Sequence, residues 1–159
     1  MSDRFRESPR LMKTVYTLAG ALARDPGRVA KTRALTLDES RPHMGLKGSH
    51  GLFASAEWWD SIAAGRLLTQ TVTGSIERTS FAGQDSRRGD QVNSVTLRLA
   101  DGSTVDESIY AHQPQDSRLF VPGATVTMVY ALDELKAQAA ADGAVNYART
   151  VLEVSVSAG

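Results

Sequence analysis

The 159-residue sequence has no cysteine, which excludes disulfides, thiolate metal sites and thiol nucleophiles. It also lacks any run of about 18 apolar residues, the length a membrane-spanning helix needs, so no membrane partner is expected. Aromatic residues are sparse at 6%, whereas a surface that stacks successive bases wants several of them. The glycine-rich phosphate loop, the GxGxxG dinucleotide fingerprint and the HExxH metal helix are all missing. The three histidines, His43, His50 and His112, show no ligand spacing. His43 and His50 stand in a glycine-rich stretch, and nothing specifies a third ligand. Ser49 and His50 are neighbours in sequence only, while a nucleophile and its base are recognised by tertiary geometry. No catalytic residue, metal or cofactor is therefore expected, and a small hydrolase of unknown substrate stays open only as an alternative.

The charge that is present is unevenly placed. The formal net charge is zero, yet residues 1–50 hold ten Lys/Arg against five Asp/Glu, and the remainder hold eight against thirteen. A basic arm on an acidic body can reach for phosphate, grip an acidic partner or fold back on its own body. Arg4, Arg6, Arg10 and Lys13 lead that arm. Basic residues precede an apolar stretch here, as in a secretory leader, but Lys13 and Thr14 interrupt it, so a cytoplasmic location is expected.

Ser8-Pro9 suits a helix start, and Leu11, Val15, Leu18 and Leu22 recur at spacings of four, three and four. They predict an amphipathic helix that ends at Asp25-Pro26-Gly27. Its apolar stripe needs a cover, and a homodimer through that stripe is one way to supply it. From Arg28 to Gly51 no period is sustained, which reads as a linker or an extended segment.

Both tryptophans stand side by side in GLFASAEWWD, Gly51 to Asp60. Ser55 is placed to cap a short helix from Ala56 to Ala64, with Gly65 at the left-handed position after it. At about 100° per residue, Trp58, Trp59 and Ile62 share one broad apolar face. A core plug is the main reading, and an exposed tryptophan anchoring a partner is the alternative.

Beyond Gly65 the pattern becomes β. Leu67–Phe81 alternates, with Gly74 where a strand would bend, and Ala82–Gln91 is a polar loop. Val95, Leu97 and Leu99 alternate into an Asp101-Gly102 turn, and Val105, Ile109 and Tyr110 lie on the return strand. Pro122-Gly123 leads into Val126, Met128 and Tyr130; LDELKAQAAADG reads as a short helix with Asp133-Glu134 in its first turn; NYARTVLEVSVS alternates last. The expectation is a mainly β (α+β) chain of five antiparallel strands. Residues 1–50 form a basic helix-and-linker arm, and residues 51–159 form a small β-barrel domain.

TVTGSIER, VTLRLADGSTVDESIYA, FVPGATVTMVYAL and RTVLEVSV together resemble the strands of an oligonucleotide/oligosaccharide-binding (OB) barrel over residues 67–157. The resemblance implies a closed barrel whose mouth is plugged by the tryptophan helix. It also implies a binding face on the second and third strands, framed by two loops. Mapped onto this chain, the face and its frame carry Arg87, Arg88, Arg98, Tyr110, Lys136 and Arg149. OB barrels usually place a helix between strands three and four, and here that gap, His112 to Val121, is short, so an SH3-like barrel remains the alternative. The function expected is that of a non-catalytic binding or adaptor protein with a macromolecular partner. A protein is favoured because the body is acidic and poor in stacking aromatics, with the arm, Trp58 and Trp59 contributing contacts. Single-stranded nucleic acid, gripped by the arm and Arg87-Arg88, is the competing partner.

Overall fold

The alternating apolar residues of the C-terminal two-thirds do form strands, and one further strand comes from a segment that reads as helix. In the computed structural model, which describes residues 11–80, 93–137 and 146–157, the elements run β1 (Met12–Thr17), α1 (Leu18–Arg24), α2 (Pro26–Leu37), α3 (Ala56–Ala63), β2 (Thr69–Ser80), β3 (Ser94–Arg98), β4 (Thr104–Ser108), α4 (Pro114–Ser117), β5 (Thr125–Glu134) and β6 (Tyr147–Ser157). The strands form one sheet in the order β1-β6-β5-β2-β3-β4. The chain is mainly β, as expected, but the closed five-stranded barrel is corrected to an open sheet of six strands with β1 and β4 at its edges. No helix among the described residues is long and apolar enough to cross a membrane.

The N-terminal helix expected across Leu11 to Leu22 is a second correction. The apolar spacing fits a helical stripe, but Thr14, Val15, Tyr16 and Thr17 are β-branched or aromatic and favour extended backbone. Thr17 ends β1 and caps α1, its side-chain oxygen accepting from the Gly20 amide at 3.1 Å. The stripe is thereby divided: Leu11 is 81% exposed, while Val15, Leu18 and Leu22 are buried. The continuous apolar face that was to carry a homodimer is not formed. Asp25-Pro26-Gly27 does stop the first helix, but Pro26 at once starts the next. The expected linker is therefore helical as far as Leu37. Because α2 buries no residue fully, its sequence has no apolar stripe to reveal it.

The described residues divide into two compact units. One gathers those up to Tyr16, those within Val72–Met128 and those from Glu153 on; the other gathers Thr17–Thr71 and those within Val129–Leu152. In the first unit β3 and β4 pair antiparallel, from Ser94↔Ser108 to Arg98↔Thr104. Gly102, at φ +88°, supplies the left-handed residue of their turn. Gly74 lies where the sequence suggests a bend, and its role is close approach. A Cβ there would come within 2.8 Å of the Arg98 carbonyl oxygen and 3.1 Å of the Leu97 Cβ.

In the second unit Leu18, Leu22, Phe53, Trp58, Leu67 and Ala131 form a buried cluster, with Trp59 and Ile62 packed against it. Helix α3 is built as its sequence suggests. Ser55 Oγ accepts from the Trp58 amide at 3.2 Å, and Gly65 follows at φ +80°. Trp58 is 0% exposed and meets Phe53 and Trp59 edge-on at 5.1 and 4.8 Å between ring centres. The helix is thus part of a core rather than the plug of a barrel mouth.

Candidate partner-binding surface

Strand β5 sorts two neighbouring carboxyl groups by its alternation. The sequence places Asp133 and Glu134 in the first turn of a helix, but β5 continues through Glu134, which turns one side chain inward and the other outward. Residues 138–143 of that expected helix lie outside the described residues. Asp133 is 1% exposed, and its Oδ2 accepts from Trp58 Nε1 at 2.9 Å. Its Oδ1 has no partner among the described residues. Burial pushes this carboxyl above its usual range, against the opposing pull of the Trp58 hydrogen bond and nearby His50. Glu134 shifts the other way. Ser49 Oγ donates to its Oε1 at 3.0 Å and Lys47 Nζ to its Oε2 at 3.3 Å, which hold it below the usual carboxylate range.

The raised Asp133 has a measurable consequence. A carboxyl that holds its proton more tightly in the folded state adds stability below its ordinary value, and that stability is lost as pH rises through the raised value. Asp133→Asn does not titrate and keeps an oxygen for Trp58. The stability of Asp133→Asn minus that of the wild type should therefore grow as pH rises above the ordinary carboxyl value and level off once pH has passed the raised one. Urea unfolding at a series of pH values reads the difference directly, and a difference independent of pH contradicts a carboxyl raised by burial at Asp133.

The other residues singled out in the sequence are dispersed. Trp58 is buried and Trp59 half-buried. Lys13 Nζ donates to Asp116 Oδ1 at 2.7 Å. Arg98 is bound by the Glu77 carboxylate and by the Gly102 carbonyl. Tyr110 packs on Tyr16, with 5.1 Å between ring centres. Lys136 Nζ donates to the carbonyls of Leu35, Asp38 and Arg41 at 2.7, 3.3 and 3.0 Å, at the end of α2 where a cation suits the helix dipole. The Arg149 guanidinium lies 3.9 Å from the ring centre of Tyr130. Lys13, Arg98 and Tyr110 belong to the first unit, and Trp58, Trp59, Lys136 and Arg149 to the second. Arg4, Arg6, Arg10, Arg87 and Arg88 lie outside the described residues.

The histidines are placed separately too. His43 Nδ1 meets the Ala137 carbonyl at 2.7 Å, and His112 stacks on Tyr16 at 4.9 Å. Among the described residues no three His, Asp or Glu side chains converge as metal ligands would.

What the sequence reading missed is an open groove of about 750 Å³ in the first unit, lined by Ile109, Phe120, Val121 and Pro122 with His112 and Arg118 at its polar side. Val121 is 50% exposed, and the Arg118 guanidinium has no partner among the described residues. An apolar floor beside an unpaired arginine is the composition of a protein contact. In the sequence His112 to Val121 shows only as a short gap between strands, and no periodicity marks it.

The family model described as Immunity protein RhsI2 matches residues 12–157. The chain belongs to this RhsI2 immunity-protein family. The match begins within β1 and ends within β6, so it takes in all six strands. Membership of an immunity-protein family is compatible with a chain that binds a partner protein, the kind of partner favoured from the sequence. A comparison with curated proteins gave no match.

Proposed function

We propose that the protein neutralises an Rhs toxin by binding the toxin directly. The RhsI2 family match across residues 12–157 carries this reading. The geometry supports it in two ways. Among the described residues the candidate cations Lys13, Arg98, Lys136 and Arg149 are occupied within the chain, so gripping phosphates would require each of them to leave a partner. The groove around Val121 and Arg118 offers instead the mixed apolar and cationic surface that protein interfaces use. Neutralisation without catalysis needs a stable complex, and affinity then comes from shape and a few well-packed anchors rather than from total area.

Co-expression with an Rhs toxin domain tests the proposal. Host growth should be restored, and the two chains should leave a size-exclusion column together. Failure to restore growth and to bind the purified toxin domain ends the reading.

A further inference from the structure

The hairpin register decides which backbone groups of β4 face away from the sheet. Leu99 N–H donates to the Ser103 carbonyl at 2.8 Å, and Ile109 N–H donates to the Asn93 carbonyl at 3.0 Å. In an antiparallel pair, residues that exchange hydrogen bonds alternate with residues that do not. Ser103, Val105, Glu107 and Ile109 therefore turn their amides and carbonyls toward β3, and Thr104, Asp106 and Ser108 turn theirs outward. Strand β4 is the last in the sheet, and among the described residues no backbone hydrogen bond reaches these outward groups. The opposite edge is partly closed, because the Val15 carbonyl of β1 accepts from the His112 amide at 2.9 Å.

An open edge is a template for any strand, and its side chains select the occupant. The β4 sequence Thr-Val-Asp-Glu-Ser holds two carboxylates and no cation, and Asp101 precedes it in the turn. A second copy laid along β4 would set carboxylates against carboxylates, which is unfavourable across a strand pair. A basic strand meets no such penalty. Ile109, directly after Ser108, also lines the apolar groove, so edge and groove are continuous.

We propose that β4 is the docking edge for a basic β-strand of the toxin, which joins the sheet through the outward amides and carbonyls of Thr104, Asp106 and Ser108. This rests on the toxin-binding reading above and adds to it where, and by what chemistry, the partner attaches.

The test uses the full chain and the purified Rhs toxin domain that the chain neutralises in co-expression. Asp106→Pro removes one outward donor, while Val105 and Glu107 keep the ladder to β3. Asp106→Lys combined with Glu107→Lys reverses the charge. Asp60→Lys, on the exposed side of α3, is the control, because it reverses a charge away from the β4 edge. Asp60→Lys should bind within a few-fold of wild type, and the two β4 variants about tenfold or more weakly with melting temperatures near wild type. Hydrogen exchange on the wild-type complex covers the case in which Asp106→Pro does not fold: the amides of Thr104, Asp106 and Ser108 should gain protection when toxin binds. Unchanged affinity in both variants, or protection confined to another surface, overturns the docking edge and leaves toxin binding standing. Absence of binding by the wild-type chain overturns both.

Discussion

Trp58→Ala is expected to lower folding stability by about 3–5 kcal/mol, the range for truncating a buried aromatic. Trp58 is 0% exposed at the centre of the second unit's cluster, so its removal leaves a cavity bounded by Phe53, Trp59 and their neighbours. It also strands Asp133, whose Oδ2 loses the indole N–H while its Oδ1 has no partner among the described residues. Trp58→Phe separates the two losses, because it keeps a ring in the cavity and removes only the donor. Leaving a buried acceptor without its partner costs about 1–3 kcal/mol, so the phenylalanine variant should fall between wild type and the alanine variant. Denaturant midpoints measure both. A loss under about 0.5 kcal/mol for Trp58→Ala, the level of an ordinary surface substitution, would place the indole outside the core.

The second large effect is expected at Gly51. Its φ of +108° is outside the range that side-chain-bearing residues adopt easily, and a Cβ there would lie 2.9 Å from the Trp58 backbone nitrogen and 3.1 Å from Glu57 Cβ. Strained backbone of this kind costs about 1–3 kcal/mol, and forcing extra atoms into a packed contact costs about as much again. Gly51→Ala should therefore lose about 2–6 kcal/mol. Gly65 provides the comparison: its φ is +80°, but nothing lies within 4 Å of the added Cβ. Gly65→Ala should cost only the left-handed backbone, about 1–2 kcal/mol. Equal losses at the two glycines would show that contact with α3 contributes nothing at Gly51.

How much of this was legible depends on the distance over which each feature is decided. Helix α3 could be read almost residue by residue, because Ser55, the tryptophan face and Gly65 lie within a dozen positions and act locally. The β3–β4 hairpin was legible for the same reason. The stretch Met12–Thr17 was misread because two periods coexist there. Leu11, Val15, Leu18 and Leu22 fit a helix, and the β-branched neighbours of Val15 fit a strand; pairing with β6, far away in sequence, decided between them. Helix α2 escaped because it buries no residue completely and so prints no stripe. Asp133 escaped because its indole partner is 75 residues away, and no local pattern announces that bond. The open edge of β4 required a register, which only the folded chain supplies. That a protein is the partner followed in outline from the acidic, aromatic-poor body; that this is an immunity protein followed only from the family match.

The sheet order sets the first strand beside the last, and the hydroxyls of Thr14 and Ser155 lie 3.2 Å apart across that seam. During synthesis β1 leaves the ribosome first and must wait, without its neighbour, until β6 follows. Contacts of such long sequence separation form late and slowly. On the proposed role, a half-made chain protects nothing, and the time needed to translate and close the seam sets how soon a cell that has just begun to make the protein is safe.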